Sequence, residues 1–213
     1  PTIPTDISNV RAALDGIEAI LVAENAMNVH CIGFSMGGML EQVFLREHMD
    51  WVKTITLFHC PPPSKAFAKS MQRAVRINRI MPVCLWRTIS SYALSREFRK
   101  YPNVPKEEKA FWTQYYSGVF SKERIINQLR IVVDYLKNYH FTANDLDKWP
   151  GKVLIFETAT DTLIPYVERQ RLKELYPHAR VHTFMSGTHL GNGIFLFDVT
   201  KSVIEDFLAT VPR

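Results

Sequence analysis

Three side chains of the kinds that cooperate in nucleophilic catalysis stand far apart in the chain, each beside a distinctive local pattern. The first is Ser35, in Gly33-Phe34-Ser35-Met36-Gly37-Gly38. A serine hydroxyl is a poor nucleophile at neutral pH and needs a base beside it. The pattern G-x-S-x-G arises by chance in roughly one chain of this length in fifteen, so alone it says little. Its context sharpens it. Val29 to Phe34 reads as a short apolar strand and GGMLEQVFLREHM as a helix, which puts Ser35 on the sharp turn between them. There the serine is pushed to the end of the sheet in a strained backbone conformation, and side chains at Gly33 and Gly37 are expected to collide with neighbouring backbone. The Met36 N–H and the dipole of the following helix would face a developing oxyanion. The competing reading is a glycine-rich turn carrying a solvated serine.

The other two are Asp161 and His189. Residues 152–157 (KVLIFE) read as a strand leading into Thr158-Ala159-Thr160-Asp161, with Pro165 beyond, and residues 179–185 (ARVHTFM) as a strand leading into Ser186-Gly187-Thr188-His189. Loops after the C-terminal ends of parallel strands converge on one side of a sheet, so all three can meet there. His189 would take the Ser35 proton while Asp161 fixes the imidazole tautomer and stabilises its cation. Rival readings stay open at this level. Asp161 could only cap a helix, His189 could bond its own loop, Glu157 is a second acid inside its strand, and His59, ending the strand at 53–60, could also reach the site. Cys60 reads as packing, and the other five histidines show no partner pattern.

The segment 33–38 resembles the nucleophile elbow of the α/β-hydrolase superfamily in its G-[FHY]-S-[ML]-G-G form. Asp161, four residues before Pro165, is similar to that family's D-x-x-x-P acid, and Gly187-Thr188-His189 to its G-x-H loop. The resemblance covers nearly the whole chain. It implies a serine hydrolase that cleaves an ester or related acyl bond of a small, fairly apolar substrate through an acyl-enzyme. Ser35, Asp161 and His189 would be the triad, Met36 an oxyanion donor, and Gly33, Gly37 and Gly38 the elbow. Phe34, His59, Trp112 and Tyr116 would contact substrate, with neither cofactor nor metal. Carbon–carbon hydrolysis and acyl transfer use the same triad, and a non-catalytic binding protein on the same fold is the rival from another class. The front of the chain departs from the family, whose members reach the elbow after about four strands and take a second oxyanion donor from the loop after the third. Here one helix precedes the elbow. Losing one such donor costs roughly 2.7–4 kcal/mol of transition-state stabilisation. The strand at 29–34 is then expected to keep an uncovered apolar edge, to be met by a missing N-terminal segment or a partner chain.

The elements that must position these residues alternate between strand and helix, which implies a mainly parallel α/β sheet of about four strands flanked by helices. Thr5 or Asp6 could cap a first helix, with Ile7, Val10, Leu14, Ile17 and Leu21 on one face and Asn25 and Asn28 ending it. A discontinuous core covers 1–63 and 149–213, and residues 64–148 form a helical insertion resembling a lid, broken at Pro82 and at Tyr101-Pro102-Asn103. Between residues 61 and 110 there are 11 Lys and Arg against 3 Glu, interleaved with apolar positions such as Phe67, Met71, Ile77, Leu85, Ile89 and Tyr92. The simpler reading packs those apolar faces on the sheet and leaves a basic solvated surface. The alternative, contact with an anionic lipid or membrane, ranks below it. Trp112, Tyr115, Tyr116 and Phe120 are expected to line an apolar pocket. A nucleic-acid partner has no motif behind it.

Composition agrees with a compact enzyme-sized unit. Of 213 residues 46% are hydrophobic and 22% charged, with a net charge of +5. No apolar run reaches the roughly 18 residues of a membrane span, and no signal peptide is visible. Three cysteines without C-x-x-C spacing argue against a disulfide scaffold or structural zinc and fit a reducing, cytoplasmic setting.

Overall fold

The computed structural model describes residues 7–119 and 121–211. Helix α1 (Val10–Ala23) begins at Asn9, whose side chain accepts the Ala12 N–H at 2.9 Å; Asn9 therefore does the work expected of Thr5 or Asp6, which lie outside the described residues. Val10 and Leu14 of its stripe are buried, and Asn25 and Asn28 end it with positive φ values of 49° and 59°, which asparagine tolerates better than most residues.

Four strands, β1 (Val29–Phe34), β2 (Val52–Phe58), β3 (Lys152–Thr158) and β4 (Arg180–Phe184), form one parallel sheet in the order β1-β2-β3-β4. Every crossover therefore moves the same way. Right-handed connections place α2 (Met36–Glu47) and α7 (Tyr166–Leu175) on one face, and α9 (Phe197–Leu208) packs on the other. Strand alternation feeds both layers. Ile55, Leu57, Val153 and Ile155 join the cluster beneath α2 and α7, while Phe58, Leu154, Phe156 and Phe184 meet Phe207 of α9. Two helices follow β4, the short α8 (Gly191–Phe195) and then α9.

Strand β1 ends the sheet order, with no strand beyond it among the described residues, and Ile32 on it is 60% exposed. Among the described residues no helix is long and apolar enough to cross a membrane.

Between β2 and β3 run α3 (Lys65–Ile80), α4 (Val83–Arg99), α5 (Lys106–Val119) and α6 (Lys122–Asn138). Pro82 starts α4 and the turn at Tyr101 ends it, as the sequence suggests. A further break was not legible: Ser121 caps α6 by accepting the Arg124 N–H. Ser64 anchors the block at its base, accepting the Phe67 N–H and donating to Glu168 Oε1 at 2.7 Å. The expectation that the apolar faces of this block pack on the sheet is only partly met. Phe67 and Ala68 are buried and Met71 packs against the core, but Ile77, Ile80, Leu85, Ile89 and Tyr92 are exposed. The basic block thus presents apolar side chains to solvent as well as charge.

Candidate active site

The site forms where β1, β3 and β4 end. Leaving β1, the chain turns directly into α2, and the turn is strained: Ser35 has φ 53° and ψ −113°. Backbone of this kind costs about 1–3 kcal/mol and persists only where its surroundings enforce it. Here the Ser35 N–H donates to Phe58 O at 2.7 Å, and close packing does the rest. A Cβ on Gly33 would lie 2.5 Å from Gly38 N and 2.6 Å from Gly37 C. The second crowded glycine is Gly38, whose Cβ would fall 2.7 Å from Cys60 Sγ and 2.9 Å from Gly33 O; around Gly37 there is open space. The collision expected at Gly37 therefore belongs to Gly38. Met36 opens α2, so its N–H is one of the four that a helix N-terminus leaves without an intrahelical acceptor.

His189, in the loop after β4, reaches both other residues. Its Nε2 lies 3.0 Å from Ser35 Oγ and its Nδ1 2.8 Å from Asp161 Oδ2. The carboxylate must accept, so Nδ1 carries the proton and Nε2 is free to accept the serine O–H. Asp161 also answers the capping reading. Its Oδ1 accepts the Leu163 and Ile164 N–H groups at 2.7 and 3.2 Å while Oδ2 faces the imidazole. Burial pushes this carboxyl up, but the hydrogen bonds and the charge of His189, helped by the two backbone N–H groups, outweigh it and hold Asp161 below the usual range. The rival acid Glu157 is engaged elsewhere, 3.0 Å from Lys173 Nζ and from Thr183 Oγ1.

The remaining expected residues divide. Phe34 is beside the site, its ring 5.5 Å from that of His189. Trp112 and Tyr116 lie together in an aromatic cluster along α5, their rings tilted and 5.9 Å apart, and Tyr116 lines a cavity of about 790 Å³ within the helical block, whose walls include none of Ser35, Asp161 or His189 among the described residues. Phe120 lies outside the described residues.

His59 is the main correction. Expected to touch substrate, it is 3% exposed. Its Nδ1 donates to His189 O at 2.7 Å, and its Nε2 accepts from Thr158 Oγ1 at 2.8 Å. The ring sits behind His189 and holds its backbone carbonyl. Nothing in the sequence separates the two roles, because a histidine at a strand's C-terminal end fits both. Burial, then the nearby charge of His189, pulls its pKa down to about 4, so it is neutral at pH 7. A depressed histidine pKa means that the unfolded chain binds more protons between about pH 6.5 and 4, and stability falls as pH drops through that window. The shift corresponds to about 3 kcal/mol, fully lost only near and below pH 4. Urea unfolding at pH 7 and pH 4 checks this: His59→Asn, which suits the positive φ of 49° here, should lose about 3 kcal/mol less on acidification than the parent. Parallel pH curves for the two proteins would contradict it.

Among the described residues two clusters have metal-ligand types. His59, Asp161 and His189 bring donor atoms within 4.8 Å of one another, but the imidazole nitrogens and the carboxylate are already joined by the hydrogen bonds above. Glu18, Glu47 and His48 surround Arg11, whose guanidinium pairs with both carboxylates. Neither arrangement leaves an open ligand set.

No protein-family model and no curated protein matches the chain in sequence. Solved structures match it in fold. A carboxylesterase from the thaumarchaeon Nitrososphaera gargenis superposes with a TM-score of 0.72 at 14% identity, over 95% of this chain and 72% of that one. The α/β-hydrolase enzyme MGS-M2 from a deep-sea metagenome gives 0.72 at 12%, over 98% and 75%. A meta-cleavage product hydrolase from Pseudomonas fluorescens gives 0.66 at 17%, over 94% and 72%. The chain has the α/β-hydrolase fold, in a form shorter than these neighbours.

Proposed function

We propose that this α/β-hydrolase-fold chain is a serine hydrolase that cleaves an ester or related acyl bond of a small, fairly apolar substrate. The observation that carries the reading is the unbroken hydrogen-bonded line that starts at Ser35 Oγ, at the head of α2, and runs through the His189 imidazole to Asp161. Ser35 Oγ attacks the acyl carbon and its proton passes to His189 Nε2. Asp161 stays ionised and stabilises the imidazolium, while the Met36 N–H and the α2 dipole face the tetrahedral oxyanion. Collapse expels the leaving alcohol, which takes the proton from His189, and leaves an ester on Ser35. Water then attacks this acyl-enzyme with His189 again as base, releasing the acid and restoring the serine. The Phe34 ring supplies an apolar wall beside the base.

An alkyl fluorophosphonate tests this directly. Attack by Ser35 Oγ displaces fluoride and leaves a stable phosphonyl ester. One label per chain, on the peptide containing Ser35 and absent from Ser35→Ala, is the expected result. An unlabelled protein, judged folded by circular dichroism, would instead favour a binding protein on a hydrolase scaffold.

A further inference from the structure

Behind the base, hydrogen bonds close on themselves. The Thr188 N–H donates to Tyr101 Oη at 2.9 Å, and Tyr101 O–H donates to Asn192 Oδ1 at 2.6 Å. Asn192 Nδ2 donates to Thr158 Oγ1 at 2.6 Å, Thr158 O–H to His59 Nε2 at 2.8 Å, and His59 Nδ1–H to His189 O at 2.7 Å. The circuit starts at the N–H of Thr188 and ends at the C=O of the next residue, the base itself. Its direction is forced, since a backbone N–H can only donate and a carbonyl can only accept. Each hydroxyl then has one proton to give and gives it onward, and His59 must be the neutral Nδ1–H tautomer. All five supporting residues are buried. In such surroundings, hydrogen bonds aligned head to tail strengthen one another, and an opened link strands polar groups.

One member does not belong to the core. Tyr101 comes from the turn that ends α4, in the helical block, and its ring is wedged against Phe195 and the backbone of Gly191, where a Cβ would lie 2.2 Å from the ring. We propose that Tyr101 is a positioning residue for His189, through which the helical block and His59 jointly clamp the 188–189 backbone and so set the distance from base to nucleophile. This rests on the hydrolase reading above. The helical block is then more than a cover: displacing the α4–α5 turn opens the circuit and loosens the base.

Tyr101→Phe keeps the ring and deletes the link. Amide hydrogen exchange reads the circuit without reference to catalysis. Thr188 N–H should exchange at least about tenfold faster in Tyr101→Phe and also in His59→Asn, although His59 does not touch that amide. Unchanged Thr188 exchange in His59→Asn would overturn the closed circuit, whether or not the protein turns over esters. On p-nitrophenyl acetate, Tyr101→Phe should lower kcat about 10- to 100-fold with KM nearly constant, the cost of a misplaced catalytic group. Adding His59→Asn should cost little more, because the circuit is already open. An unaltered kcat in a fluorophosphonate-reactive Tyr101→Phe protein, or losses that multiply in the double variant, would overturn the positioning role. Absent fluorophosphonate labelling of the parent would instead remove the hydrolase reading and leave the exchange result standing.

Discussion

Ser35→Ala should reduce kcat for p-nitrophenyl acetate by about 10⁴ or more, and Ser35→Ala with His189→Ala should reduce it no further. The alcohol and the imidazole act as one unit, so the first deletion removes nearly all of their joint contribution. Removing the nucleophile from a complete site of this type costs about 10⁶. A smaller ratio is expected here because spontaneous hydrolysis of an activated ester sets the floor of the measurement. The variant should be at least as stable as the parent, since alanine leaves no buried polar atom behind. A Ser35→Ala protein hydrolysing the ester within tenfold of the parent would place the reaction elsewhere on the surface and end the proposal.

How far the site could be read from sequence depends on the kind of constraint at each position. The elbow was legible because covalent geometry dictates it. A strand that must turn into a helix within one residue has no room for side chains where its backbone folds against itself, and glycine records that. The sequence offers two glycines after Ser35, however, and only the packing against Cys60 and Gly33 O shows that Gly38 is the confined one. Asp161 and His189 were legible for a topological reason: residues just past the C-terminal ends of parallel strands share one side of the sheet. The two readings of Asp161 proved compatible, because a carboxylate has two oxygens and uses one for the loop and one for the imidazole.

The rest was hidden because it depends on contacts between segments rather than on period or spacing. Apolar positions in α3 and α4 repeat as helices require, but period does not say which surface a face meets, and Leu85, Ile89 and Tyr92 meet solvent. The break at Ser121 interrupts no apolar pattern. Tyr101, Thr158 and Asn192 carry no motif, and their roles exist only once three distant loops lie together. Glu41 is similar. Buried behind the elbow, it accepts the Thr56 N–H, and desolvation pushes its carboxyl well above the usual range.

Asp161→Asn should lower kcat by about 10⁴ while leaving the fold intact, and the loop around it explains why so small a change does so much. An asparagine here must choose which end faces which neighbour. The Leu163 and Ile164 N–H groups both point at the Oδ1 position, at 2.7 and 3.2 Å. An amide NH₂ there would confront two donors, so the carbonyl oxygen must stay with the loop. The NH₂ is thereby turned toward His189 Nδ1, 2.8 Å from the carboxylate oxygen it replaces, and donates to it. That drives the imidazole proton onto Nε2, the nitrogen that must accept from Ser35. Nucleophile and base then present hydrogens to each other, and the wrong tautomer costs about 10⁴. KM should change little, because Asp161 is buried and its effect is carried entirely through the ring. Two measurements separate this from simple disruption: the thermal midpoint should stay within a few degrees of the parent, and fluorophosphonate labelling should slow in proportion to kcat. An Asp161→Asn protein retaining a tenth or more of the parental kcat would show that the base does not depend on this carboxylate for its tautomer.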